Sequence, residues 1–297
     1  MYQRVLVPTD MSEFANLALR YAAAFRENLG SALTLLYADE IHMPTDLLEA
    51  PIGAYLEQAP ADRWKLQERL REYGKAHIGG SFETLVVQKA PVRAILEAAK
   101  DVRADLIIMG THGRHGVRRA VLGSVTEQLL HETEIPVLTV TPGLMGNPKE
   151  VGIRRILCPV NFTRVARESL AHACDLAEVF GAELQVLYVV EEIEKDRVTE
   201  VETAFRHWID PQIADRCSFK NLILPDGDPA QRTLEAATQW NADLIVIGAQ
   251  HRFFYDATVI GTTTQRITRF ARVPVLTVTM KARKEVQEPV RETVGVM

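Results

Sequence analysis

The chain has 297 residues, room for two domains of ordinary size. Its 47% apolar and 25% charged content excludes a disordered, collagen-like or disulfide-stapled chain. Net charge is −5, and residues 1–149 carry 16 Lys/Arg against 18 Asp/Glu; the lack of a basic excess to neutralise phosphates counts against a dedicated nucleic-acid binder.

In chain order, residues 4–9 form a short β-branched run ending in Pro8-Thr9-Asp10. Ser12 is placed to cap a helix whose apolar residues Leu17, Ala18, Tyr21, Ala22 and Phe25 recur at helical spacing up to Gly30. A strand follows at 32–38, then a long excursion. Its first part, 39–60, carries Pro44, Pro51, Gly53 and Pro60 and reads as a loop. Strand 82–87, helix 91–101, strand 105–110, helix 124–133 and strand 136–141 complete a first half. In the second half, strands fall near 155–160, 183–190, 219–224, 243–248 and 274–279, with helices between. Near-continuous Leu/Ile/Val strands separated by helices predict an α/β chain with doubly wound parallel sheets.

The two halves are copies. Ala104-Asp-Leu-Ile-Ile-Met-Gly110 matches Ala242-Asp-Leu-Ile-Val-Ile-Gly248 at an offset of 138, which holds through 136–141 against 274–279. Upstream, Arg4-Val-Leu-Val-Pro-Thr-Asp10 matches Arg155-Ile-Leu-Cys-Pro-Val-Asn161 at an offset of 151. The second copy has therefore lost thirteen residues between its second and third strands. The expected boundaries are 1–141 and 154–280, with a linker at 142–153 and a loose tail at 281–297.

Cys158, Cys174 and Cys217 show no CxxC and no metal spacing and read as free thiols of a reducing compartment. No apolar run approaches the roughly 20 residues of a membrane span, and strand-like sequence within four residues of Met1 leaves no room for a signal peptide. The expected location is cytoplasmic, without a membrane partner.

In a doubly wound sheet, ligands bind beyond the strands' carboxyl ends, where strand order reverses. Two such ends stand out: Pro8-Thr9-Asp10, and Gly110 with the glycine-rich stretch leading to Gly123-Ser124. Gly110 and Gly113 permit a left-handed turn and close backbone approach, and a helix start at Gly123-Ser124 offers N–H groups to an anion. Arg114, Arg118 and Arg119 add positive charge, and Asp10 suits ribose hydroxyls or a cation such as Mg. The alternative stays open that the glycines serve turns and packing, that Asp10 only caps a helix, and that His112 and His115 are ordinary loop residues.

Gly110-x2-Gly113-x9-Gly123-Ser124, with V-P-T-D before it and P-V-L-T-V after it, resembles the nucleotide loop of the universal stress protein family. The resemblance spans both copies. It implies a five-stranded parallel sheet of order 3-2-1-4-5 in each, and in ATP-binding members a loop that holds the phosphates. By position, Gly110, Gly113, Gly123, Ser124 and Val125 would take the phosphates and nearby ribose, with Arg114 beside them. Asp10 would face ribose or adenine, and Pro8, Thr9, Ala38 and Met109 would surround the base. Family members pair through their last strands, so 136–141 and 274–279 are expected to pair within this chain, with homodimerisation left open.

The second copy departs from the motif as Gly248-x2-His251-x9-Gly261-Thr262. His251 puts a side chain where the backbone would meet phosphate, Asn161 replaces the strand-end carboxylate, and Arg252-Phe-Phe-Tyr-Asp256 makes the loop aromatic. Thr262 and Thr263 remain compatible with a pocket.

The resulting expectation is an ATP-binding stress-response sensor or regulator acting on an unidentified protein partner, with no haem, flavin or structural metal. Neither Walker A, GxGxxG nor GxSxG spacing occurs, so enzymatic activity is expected to be at most a weak ATPase. A slow ATP hydrolase, a nucleotidyl or phosphoryl transferase, and an interaction protein that binds no nucleotide remain the alternatives.

Overall fold

The computed structural model describes residues 1–40, 52–111, 122–141, 151–190, 198–209, 213, 217–225, 227–250, 252–254, 257–259 and 261–280. The expected linker core at 142–150 and the tail at 281–297 lie outside them, as does the loop 112–121.

The first copy contributes β1 (Arg4–Pro8), α1 (Asn16–Leu29), β2 (Ala32–Ala38), α2 (Ile52–His77), β3 (Glu83–Val87), α3 (Pro91–Asp101), β4 (Leu106–Gly110), α4 (Ser124–Glu132) and β5 (Val137–Val140). The second contributes β6 (Arg155–Val160), α5 (Arg164–Phe180), β7 (Glu183–Val190), α6 (Val198–Trp208), β8 (Phe219–Pro225), α7 (Pro229–Gln239), β9 (Leu244–Gln250), β10 (Arg252–Phe254), β11 (Ala257–Val259), α8 (Thr262–Phe270) and β12 (Val275–Met280).

Ten strands form one sheet in the order β3-β2-β1-β4-β5-β12-β9-β6-β7-β8. Each half has the 3-2-1-4-5 order that the resemblance implies, and within this sheet all pairings inside a half are parallel. The halves join where β5 pairs antiparallel with β12, through Val275↔Thr139, Leu276↔Leu138 and Thr277↔Val137. Leu138 and Leu276 are 138 residues apart, the repeat offset, so a pseudo-twofold axis passes through that pair.

Local sequence explains the main punctuation. Gly30 and Gly181 end α1 and α5 in left-handed conformation at φ 70° and 62°, which glycine adopts without steric cost. Pro91 and Pro229 open α3 and α7 at the position where a missing N–H costs nothing. The Asp of each A-D-L-I motif is a clamp. Asp105 accepts the Gln3 and Arg4 N–H groups at 2.7 and 2.9 Å, and Asp243 accepts those of Arg154 and Arg155, both at 2.9 Å. Each clamp pins the start of its copy's first strand to the fourth.

One core runs across both copies on the sheet face covered by α1, α2, α5 and α6, and includes Phe25, Leu70, Cys158, Leu170 and Phe205. On the opposite face the cores differ: α3 and α4 cover one built on Ile95, Ile107 and Leu129, and α7 and α8 cover one built on Ile245, Ala237 and Ile267. The shared core is joined by Phe25 against Phe180 (centroids 5.6 Å apart) and by Tyr2 stacked on His172.

Three expectations change. Helix α2 begins at Ile52, so 52–60 is helical rather than part of a loop. Ser12 caps no α-helix with its side chain: a 3-10 turn, Glu13–Ala15, precedes α1, and Ser12 Oγ is buried without a partner. Downstream of Gly248 the second copy forms an antiparallel hairpin, β10–β11, in the register Arg252↔Val259.

Candidate functional site at the switch point

β1 and β4 are neighbours, with Val5 opposite Leu106, yet α1 after β1 covers one face and α4 after β4 covers the other. Their carboxyl ends therefore flank the crevice that this topology opens. At the end of β1, Thr9 is buried, its N–H donating to Leu36 O at 2.9 Å and its hydroxyl accepting from Met11 N–H at 3.0 Å. Asp10 Oδ1 accepts the Ser12 N–H at 3.0 Å. Met11 turns the chain in left-handed conformation at φ 58°, and its counterpart Phe162, at the offset of 151, does so at φ 59°. Two non-glycine residues held there show a turn fixed by its surroundings.

The glycines behave differently from the expectation of left-handed backbone. Gly110 is the last residue of β4 and is absent from the positive-φ positions, and Gly123 is extended at φ −60° and ψ 143°. What both offer is a missing side chain. Between them the chain leaves and returns at one point: Thr111 N–H donates to Val140 O at 3.0 Å, Gly123 N–H to Thr111 O at 2.8 Å, and Thr126 Oγ1 to Gly110 O at 3.2 Å. These bonds close the stem of the loop and fix the start of α4 beside Gly110. No side chain caps α4, so its first-turn N–H groups lack the partner a capping residue would give.

Of the residues singled out in sequence, Pro8, Thr9 and Asp10 end β1, Ala38 ends β2, and Met109 and Gly110 end β4. Gly123, Ser124 and Val125 start α4. The Met109 side chain is buried among the α3- and α4-side core. Gly113 and Arg114 lie outside the described residues. The sequence reading missed Thr126, whose signal was its identity with Thr264 at the repeat offset, and Tyr73 on α2. Tyr73 Oη donates to Asn16 Oδ1 at 2.6 Å, and burial raises its pKa, with a Thr9 hydrogen bond opposing and the Asp10 charge adding.

The second copy keeps the stem, with Thr264 Oγ1 on Gly248 O at 3.0 Å. A Cβ on Gly248 would lie 2.8 Å from Val165 O, so α5 packs too closely for any side chain there, whereas a Cβ on Gly261 would meet nothing within 4 Å. Asn161 Oδ1 accepts from Thr163 Oγ1 at 2.7 Å, and Thr163 in turn caps α5. Thr262 and Thr263 occupy the first turn of α8; His251 lies outside the described residues. Cavities of about 500 Å³ around Tyr2, His172 and Thr279 and about 610 Å³ between α7 and α8 lie away from both crevices. No group of three or more potential metal ligands occurs among the described residues, and no helix there is long and apolar enough to cross a membrane.

The model of the Universal stress protein family matches residues 1–141 and 219–279. The chain belongs to this family. The universal stress protein MJ0577 of Methanocaldococcus jannaschii is 30% identical over 154 residues, covering 47% of this chain and 95% of that protein. Universal stress protein Rv2623 of Mycobacterium tuberculosis is 23% identical over 289 residues, covering 92% of this chain and 95% of its own length. A universal stress protein crystal structure from Archaeoglobus fulgidus superposes with a TM-score of 0.70 at 22% identity, covering 93% of this chain and 98% of that one. The fold is therefore that of a universal stress protein with two family regions in one chain.

Proposed function

We propose that the chain binds an adenine nucleotide, ATP, in the first copy, and that occupancy regulates a protein partner in a stress response. The observation that carries this reading is the closed stem. Gly110-Thr111 and Gly123 are tied together at the switch point, so the intervening loop, with Gly113 and Arg114, starts and ends beside the uncapped N-terminus of α4. Main-chain amides of such a loop and helix start suit phosphate oxygens. Gly110, Gly123, Ser124 and Val125 would face the phosphates, Asp10 the ribose or a phosphate-bound Mg, and Pro8, Thr9, Ala38 and Met109 the base side.

Nucleotide would act by differential affinity, favouring one arrangement of the loop over others. The second copy would serve mainly as the permanent structural partner, because His251 stands where the first copy has Gly113 and its Asn161 is engaged by Thr163. Mass spectrometry of the small molecules released when purified protein is denatured tests the reading. An adenine nucleotide is expected. Turnover of Mg-ATP above about 1 s⁻¹, within the usual enzyme range, would replace a regulator by an enzyme.

A further inference from the structure

The ten-stranded sheet has two edges, β3 in the first copy and β8 in the second, and only the first is covered. Alternate residues of an edge strand turn their main-chain N–H and C=O away from the sheet. Val87 O accepts the Asp39 N–H at 2.8 Å, so Leu85 and Val87 face β2 while Thr84 and Val86 face outward. Helix α2 takes both outward carbonyls: Gln67 Nε2 donates to Thr84 O at 2.7 Å and Arg63 Nη2 to Val86 O at 3.3 Å.

Gln185 stands opposite Lys220 just as Thr34, its match at the offset of 151, stands opposite Glu83. Asn221 and Ile223 are therefore the outward residues of β8, in the places of Thr84 and Val86. Among the described residues, none bonds to the main chain of either. Asn221 is exposed and Ile223 half-buried, where Val86 is buried. Helix α6 has 11 residues against 26 in α2, and the thirteen residues missing from the second copy fall in the segment that supplies this cover in the first.

We propose that two copies of this chain dimerise through β8, paired antiparallel about a twofold axis at Leu222. That register sets Asn221 opposite the partner's Ile223, and each of the two such pairs exchanges two hydrogen bonds. Pro225, which has no N–H to offer, falls opposite the partner's Phe219, where its carbonyl accepts that residue's N–H. Lys220, the one charged residue of β8, falls opposite the partner's Leu224, so no like charges meet. The strand is thus complementary to itself. The contact continues a sheet that already joins its two halves antiparallel at β5 and β12, where Leu138 faces Leu276. Covered β3 limits the assembly: each chain has one open edge, a twofold pair consumes both, and the doubled sheet ends on two capped strands instead of growing into a fibre.

Light scattering on the full chain as it leaves a sizing column tests the proposal. Wild type should show twice the 33.2 kDa of one chain. Asn221→Lys combined with Ile223→Lys sets lysine against lysine at both pairs and should give monomers. Asn221→Lys combined with Ile223→Glu sets lysine against glutamate and should remain a dimer. Asn221→Pro deletes an N–H that bonds nothing within its own chain. It should weaken dimerisation at least about tenfold, through two lost interchain hydrogen bonds, with circular dichroism unchanged; it decides the matter should the double-lysine chain fail to fold. Wild type that stays monomeric up to about 100 μM, well above the micromolar Kd of weak specific interfaces, would overturn the proposal. So would a dimer indifferent to the two lysines or to Asn221→Pro, or a lysine–glutamate chain as monomeric as the double-lysine one.

Discussion

Glu127 on α4 and Gln265 on α8 occupy the same position of the two copies, 138 residues apart, and hydrogen-bond to each other beside the pseudo-twofold axis. Arg269 joins them with Nη2 3.4 Å from Glu127 Oε1. Two identical copies would set carboxylate against carboxylate here. Divergence at one position has turned a self-repelling contact into a paired one and favours association of the first copy with the second over association with itself.

Gln265→Glu should therefore lower unfolding stability by about 1 kcal/mol through like-charge repulsion at a half-buried contact. The loss should shrink in high salt, as screening requires. Urea unfolding at low and high ionic strength checks both; a loss independent of salt would assign it to packing.

The matched threonines that close the loop stems separate folding from binding. Thr126→Val and Thr264→Val each remove one hydroxyl bond, to Gly110 O or Gly248 O, and each should cost about 1 kcal/mol of stability. Only Thr126→Val should also weaken ATP binding, roughly threefold to tenfold. Equal effects on binding would mean that both crevices hold nucleotide.

Gly248→Ala should destabilise by about 1–3 kcal/mol, because the new Cβ would meet the Val165 carbonyl at 2.8 Å and that backbone cannot swing away. Gly261→Ala, with open space around the same atom, should cost less than about 1 kcal/mol. Thermal unfolding of the two variants compares them directly.

The Tyr2–His172 pair gives a pH dependence. Tyr2 Oη lies 2.8 Å from His172 Nδ1, and the rings stack with centroids 5.5 Å apart. Burial lowers the His172 pKa, helped by the N-terminal charge and opposed by Asp175 and Glu168. An unfolded histidine takes its proton near about pH 6.5. As pH falls below that value, the unfolded chain binds a proton that the folded chain resists, so stability declines until the folded pKa is reached and is flat above about 6.5. Wild type should therefore lose more stability than His172→Phe on going from about pH 7.5 to 5. Parallel profiles would contradict this.

Much of the architecture could be read from sequence because its signals are local. Gly30 ends α1 in left-handed conformation, and the Ala-Asp-Leu-Ile motifs repeat at a fixed offset because each Asp clamps two N–H groups of a neighbouring strand. The site's strand ends and helix start were legible for the same reason. Helix α2 was hidden by Pro and Gly at its beginning, where breaker residues outweighed a pattern that tertiary packing of Leu70 and Tyr73 completes. Left-handed Met11 and Phe162 were equally invisible, since neither residue type favours that backbone.

Calorimetric titration with Mg-ATP, run in parallel on wild type and Gly113→Val, tests the proposed nucleotide site most directly. One nucleotide per chain is predicted for wild type, and none for the variant, whose circular dichroism should be unchanged. Absence of heat with wild type, or undiminished binding by Gly113→Val, would contradict the placement of phosphates on the first copy's loop.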